Sequence, residues 1–284
     1  MRSWLAGADP QPEPGLDYRE AWSFTLPPGQ VAYAIGDIHG RLDLLKDLEG
    51  KILDDIRVRR KSNPDLAPQV IYLGDYVDRG PDSRGVVDHL IDNPLEGVET
   101  IHLMGNHEEA FLAFFDAPEE ARGWLGQGGA ETLLSYGIAP FSQDDPAARP
   151  SPGLGLASGS GLGWLSRARD QAVDKVPDRQ RAFLAGLKLM HQAGDYIFAH
   201  AGIRPGVAPE RQKAEDLLWI REPFLSHGWD FQGRCVVHGH TIVPEPEIRA
   251  GRIGVDTGGY RTGCLTAVVL QDKDVAFLKT GGSA

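Results

Sequence analysis

Three times in the first 115 residues a short apolar run stops at a glycine, passes through a few polar residues, and gives way to apolar positions at helical spacing. Val31-Ala32-Tyr33-Ala34-Ile35 ends at Gly36, and Leu42, Leu44, Leu45, Leu48, Ile52, Leu53 and Ile56 follow. Val70-Ile71-Tyr72-Leu73 ends at Gly74, with Val86, Val87, Leu90 and Ile91 behind it. Thr100-Ile101-His102-Leu103-Met104 ends at Gly105, with Ala110, Phe111, Phe114 and Phe115 behind it. Short apolar runs of this kind are buried strands, and a period near 3.6 marks an amphipathic helix. The pattern therefore predicts repeated strand-loop-helix units and an α/β fold. Its polar loops fall at the carboxyl ends of the strands, the edge where open α/β sheets bind ligands.

Two later runs extend the core: Tyr196-Ile197-Phe198-Ala199 before His200, and Cys235-Val236-Val237 before His238-Gly239-His240. Arg252 to Gly259, then Leu265 to Leu270 and Val275 to Leu278 around Asp272-Lys273-Asp274, read as antiparallel strands with a turn, which makes the sheet mixed. Residues 1–29, rich in Pro, Asp and Glu and closing with Leu26-Pro27-Pro28-Gly29, read as an N-terminal arm, and residues 30–284 as one domain. The rhythm breaks between about 116 and 193. Helix-like pieces around Glu131-Thr132-Leu133-Leu134 and from Arg179 to Met190 there flank a Gly/Ser/Pro run at 151–161. Such a run buries too little apolar surface to fold by itself, so the expectation is an inserted helical cap carrying a mobile loop.

A chain of 284 residues can bury a full core without disulfides. The balance of 29 Lys+Arg against 40 Asp+Glu, net −11, argues against a non-specific nucleic-acid or membrane-surface binder. Cys235 and Cys264 are too few for a disulfide framework and are expected to be reduced. No segment reaches the ~18 apolar residues of a membrane span, and the N-terminus lacks a signal-peptide core. These features lead to the expectation of a cytoplasmic protein with neither nucleic acid nor membrane as partner; the sequence leaves the oligomeric state open, with a monomer favoured.

Five motifs occupy the predicted strand ends in fixed order: Gly36-Asp37-Ile38-His39-Gly40, Gly74-Asp75-Tyr76-Val77-Asp78-Arg79-Gly80, Gly105-Asn106-His107-Glu108, His200-Ala201-Gly202 and His238-Gly239-His240-Thr241. Hard carboxylate and amide oxygens with imidazoles suit Mn, Fe or Zn, and no thiolate is offered that would mark a structural zinc. In this spelling the chain resembles the metallophosphoesterase superfamily and, within it, the phosphoprotein phosphatase family of serine/threonine phosphatases. The match covers roughly residues 31 to 270. Trp219-Ile220-Arg221-Glu222 and Asp256-Thr257-Gly258 are similar to segments of the small bacterial and phage members, of the bacteriophage lambda type.

The resemblance implies a sandwich of mixed sheets flanked by helices, and two divalent transition metal ions, with Mn²⁺ expected and Fe or Zn also suited. It implies Asp37 and His39 on the first metal, Asp75 bridging, and Asn106, His200 and His240 on the second. Two such cations can activate a bridging water for in-line attack on phosphorus. It further implies His107 as general acid, with Asp78 orienting and charging it. Arg79 and Arg221 are candidate phosphate clamps, because a planar guanidinium meets phosphate oxygens in bidentate fashion; Asn106 is counted with them as substrate-binding. His238 stands in the last turn of its strand, where packing behind the site is as natural a role as a direct one. His89, His102, His191 and His227 match no motif, and Tyr260 is a candidate for lining the pocket.

The spellings Val77-Asp78-Arg79-Gly80 and Asn106-His107-Glu108 favour a phosphoprotein or phosphopeptide substrate, releasing inorganic phosphate. Diadenosine tetraphosphate hydrolases, which share this core, more often carry Asn-His-Asp at the latter place. A dinucleoside polyphosphate is therefore the alternative substrate. A binding module that has lost its chemistry is disfavoured, because every ligand position is filled.

Overall fold

The computed structural model describes residues 23–139, 162–226, 231 and 233–281. The three predicted units are β1 (Gln30–Ile35) with α1 (Leu42–Ser62), β2 (Ala67–Tyr72) with α2 (Ser83–Asp92), and β3 (Glu99–His102) with α3 (Asn106–Asp116). A single turn α4 (Arg122–Trp124) and the helices α5 (Ala130–Ser135), α6 (Leu162–Lys175) and α7 (Asp178–Ala185) follow. Then come β4 (Met190–Ala193), β5 (Tyr196–Ala199), α8 (Ala214–Trp219), β6 (Cys235–His238), β7 (Glu247–Arg249) and β8 (Arg252–Gly254). The short helix α9 (Gly259–Thr262) and the hairpin β9 (Thr266–Gln271) and β10 (Asp274–Lys279) close the fold.

These strands build two five-stranded mixed sheets, ordered β10-β9-β1-β2-β3 and β4-β5-β6-β8-β7. In the first, β1, β2 and β3 are parallel and β9 pairs antiparallel with β1. Strands covered on both faces read as unbroken apolar runs, and β1 shows why. Ala32 and Ala34 face the second sheet, packing in one cluster with Ile71, Phe198, Val237 and Ile253. Val31, Tyr33 and Ile35 face outward, onto Leu45, Leu48 and Ile52 of α1. The second sheet is covered on its far side by Leu217, Ile220 and Phe224. The architecture is an α/β metallophosphoesterase sandwich with helices outside, as the motifs led one to expect.

Four local readings differ. The helix-like segment from Arg179 does not stay helical to Met190: α7 stops at Ala185, and Met190–Ala193 pairs antiparallel with β5. Arg252–Gly254 does not belong to the C-terminal hairpin; β8 lies parallel to β6, in the other sheet. The end of the expected arm reaches the core, with Leu26 buried between the sheets and Thr25 N–H donating to Asp195 Oδ2 at 2.9 Å. Helix α3 begins at Asn106, so the third motif is itself the first turn of a helix. The Gly/Ser/Pro run at 151–161 and His227 lie outside the described residues.

Candidate active site

The motif loops converge at one edge of the sandwich, held by backbone that side chains rarely adopt. Among the described residues, His39, Asp75, Asp78, Arg79, His240 and Asp272 are the non-glycine positions with left-handed φ, and all but Asp272 belong to the motifs. Strain concentrated in this way persists only where surrounding contacts over-determine it. Glycine allows the loops to touch: a Cβ on Gly80 would lie 2.0 Å from His39 O, and one on Gly105 2.1 Å from Asp75 Oδ1.

Glu108 locks two of these loops together. Its buried carboxylate accepts the backbone N–H groups of Gly105, Asp75, Tyr76 and Val77 at 2.7–3.1 Å. Burial, with the charge of Asp75 adding to it, raises this carboxyl to about 8, and the backbone donors oppose that rise by favouring the charged form.

Asp75 stands at the centre. Its Oδ2 lies 3.5 Å from His39 Nε2 and 3.8 Å from His107 Nε2, and its Oδ1 lies 3.4 Å from His200 Nε2. Two buried groups with metal-ligating donors share it, one of His39, Asp75 and His107, the other of Asp75, His200 and His240. Asp37 joins from the end of β1, with Oδ2 4.0 Å from His39 Nε2, and both its oxygens accept the His240 backbone N–H at 3.1 and 3.2 Å. Asn106 Oδ1 is 2.9 Å from His200 Nε2 and 2.9 Å from His240 Nδ1.

The imidazoles are set as ligands. His39 Nδ1–H donates to Val77 O at 2.8 Å and His200 Nδ1–H to Leu73 O at 2.9 Å, which leaves each Nε2 as a lone pair directed into the site. Burial pushes His39 down to about 3 and His240 to about 2, and lowers His200, so all three are neutral. The His200 lone pair thus meets the Asn106 carbonyl oxygen and Asp75 Oδ1, three acceptors converging, an arrangement that a cation satisfies and a hydrogen bond does not. The donor set fits a divalent metal pair.

His107 is held differently. Its Nδ1 lies 2.6 Å from Asp78 Oδ2. Burial opposes its protonation, but Asp75 and Asp78 outweigh that and raise its pKa above the ordinary imidazole value. Asp78 is fixed by Trp124 Nε1–H at 2.7 Å and Thr132 Oγ1–H at 2.6 Å. Arg79 donates to His39 Nε2 at 2.7 Å, its other terminal nitrogen lies 3.0 Å from His107 Nε2, and its guanidinium lies 5.0 Å from the Tyr260 ring centroid. Tyr260 packs edge-on to His39 at 5.4 Å, which places it at the site as the sequence suggested. Arg221 is exposed, and its positive charge is felt at His200 and His240.

His238 points away from this centre. Arg252 donates to its Nε2 at 3.3 Å, and its Nδ1 lies 3.0 Å from Gly239 O, so its role is packing behind the motif. His89 bonds Glu49 at 2.6 Å and His102 stacks on Tyr72, and neither belongs to the two metal-ligating groups. Sequence reasoning missed Trp124, Thr132 and the stapling role of Glu108. The first two come from the irregular middle of the chain, and no local pattern ties them to Asp78.

A bis(5'-nucleosyl)-tetraphosphatase PrpE (asymmetrical) of Anoxybacillus flavithermus is 25% identical over 255 residues, spanning 82% of this chain and 88% of its own length. The protein of that name from Geobacillus sp. is 25% identical over 246 residues, spanning 82% and 87%. The crystal structure of a candidate diadenosine tetraphosphatase superposes with a TM-score of 0.54 at 19% identity, over 91% of this chain and 98% of that one, a likeness of fold. These relatives carry tetraphosphatase names, where the motif spelling had pointed to phage-type protein phosphatases. The family model for calcineurin-like phosphoesterases matches residues 32–248. Because that span takes in every motif loop from Gly36 to Thr241, the chain belongs to the calcineurin-like phosphoesterase family, whose members work with divalent metal ions.

Proposed function

We propose that this chain hydrolyses dinucleoside polyphosphates, by water attack on a phosphoanhydride at the Asp75-centred site. The observation that carries the hydrolytic reading is Asp75 itself, one carboxylate shared by two buried ligand groups. In this reading Asp37, His39 and Asp75 hold one cation, and Asp75, Asn106, His200 and His240 the other, with Mn²⁺ expected and Fe or Zn fitting the same donors. Two divalent cations supply an acidified water and positive charge for the phosphoryl oxygens. Arg79 and Arg221 bind and orient the phosphate, with Asn106 contributing to its binding. His107 gives its proton to the leaving oxygen, and Asp78 keeps that proton on the imidazole.

The choice of substrate is supported by the tetraphosphatase names of the relatives across four fifths of the chain. The Glu108 spelling carries less weight than it did in the sequence, since its carboxylate is spent on backbone amides and does not face a substrate. A cavity of about 660 Å³ beyond Arg79, lined by Arg41, Lys46 and Tyr260, offers cations and an aromatic ring to a nucleotide. Phosphoprotein remains the second reading, favoured by the Asp78-Arg79-Gly80 spelling.

The deciding experiment compares kcat/KM for diadenosine tetraphosphate, a phosphoserine peptide and an aryl phosphate, each with Mn²⁺. The dinucleotide is expected to exceed the peptide by more than about tenfold, equivalent to ~1.4 kcal/mol in transition-state binding. The reverse ratio would transfer the assignment to protein phosphatase.

A further inference from the structure

Asp256 is 2% exposed, just past β8, and no expected ligand set includes it. Its Oδ1 accepts the Gly258 N–H at 2.8 Å, while its Oδ2 is buried with no hydrogen-bond partner. A buried carboxylate oxygen left without a partner is costly and calls for an ion or a proton. The loop carrying it is pressed against the first motif: a Cβ on Gly36 would lie 2.7 Å from Val255 O and 3.4 Å from Asp256 Cα. That contact sets the Asp256 carboxylate beside Asp37. Burial foremost, and then the charge of Asp256, push Asp37 well above the usual carboxylate range, as expected of two acids facing each other in a dry site. Arg79, whose charge is felt at both, already donates to His39 Nε2 and lies against His107.

We propose that Asp256 is a further carboxylate donor to the divalent cation held by Asp37 and His39. The assignment rests on the two-metal reading above and is independent of the substrate. It accounts for the left-handed Gly258, which turns the chain so that Oδ2 is presented to the site. The Thr257 hydroxyl is engaged elsewhere, donating to Cys264 O at 2.6 Å. The competing explanation is a proton shared between Asp37 and Asp256, with no part in metal binding.

Mn²⁺ titration of the metal-stripped full chain, read by calorimetry and by Mn²⁺ electron paramagnetic resonance, separates the two. Wild type is expected to take up two ions with a spin-coupled signal; fewer than two in wild type would refute the two-metal reading itself. Asp256→Asn and Asp256→Ala are expected to bind one ion about 10–100-fold more weakly and to lose the coupled signal, the scale seen for supporting groups at metal sites. Thr257→Val disturbs the same loop without touching the carboxylate, and should keep both ions. Unchanged or tighter Mn²⁺ binding in both Asp256 variants would overturn the proposal in favour of the shared proton. Equal losses in Thr257→Val would overturn it in favour of loop distortion.

Discussion

His107 Nδ1 lies 2.6 Å from Asp78 Oδ2, and that carboxylate is itself pinned by Trp124 and Thr132. The contact decides which nitrogen of His107 faces the site and, together with the larger effect of the Asp75 charge, keeps the ring charged to a higher pH than a free imidazole despite its burial. Because the raised pKa belongs to the acid form, the useful proton is present at low pH and is lost as pH rises through that pKa. We expect kcat/KM to fall on the alkaline side, and Asp78→Asn to move the fall to lower pH. His107→Asn should abolish this limb and lower turnover about 10²–10⁴-fold on substrates with poor leaving groups. Its effect should be much smaller on an aryl phosphate, and equal losses on both substrates would make His107 structural.

The two arginines differ in setting, so their variants should differ in degree. Arg79→Ala removes a guanidinium anchored on both imidazoles and should weaken inhibition by inorganic phosphate as well as catalysis. Arg221→Ala should do the same to a lesser extent, since that side chain is exposed. Phosphate inhibition constants for each variant check this, and an unchanged constant in Arg221→Ala removes Arg221 from the site.

Glu108→Ala leaves four buried amides without their acceptor. Unsatisfied buried donors cost about 1–3 kcal/mol each, so a loss above about 3 kcal/mol is expected in urea unfolding. Mn²⁺ affinity should fall with it, because Asp75 is itself one of the stapled residues.

His238 gives a stability prediction. Burial, with Arg252 adding to it, pushes this imidazole from about 6.5 down to about 4. The unfolded chain therefore takes up the proton first, and the His238 contribution, complete above pH 6.5, is lost as pH falls toward 4. The full loss is on the order of 3 kcal/mol. Metal-free His238→Gln should show a shallower decline of unfolding free energy over that interval than metal-free wild type.

The strand-loop-helix units were legible because their signal is local: Val31 to Ile35 and the Leu42 to Ile56 stripe each lie within one element. The same holds for the motif residues, which sit at strand ends and so meet wherever the strands pair. Met190 was misjudged because a short apolar run is helix or strand according to its partner, and β5 supplied one. Arg252–Gly254 was misplaced for a similar reason, since sheet membership is set by the parallel pairing with Val236 and Val237. Trp124 and Thr132 are 46 and 54 residues from Asp78, too far for any periodicity to connect them. Asp256 was seen as a spelling, and only its unpartnered oxygen gives it a chemical meaning.

Asp37 and Asp75 follow strands of one sheet, whereas His200 and His240 follow strands of the other. Ions seated among them would act as rivets through the two layers, and their binding free energy would become part of the sandwich's cohesion. A chelator would then be a mechanical agent as much as a chemical one. Heating should release metal and part the layers as a single event, and slow amide exchange in β5 and β6 should quicken on stripping while α1 stays protected.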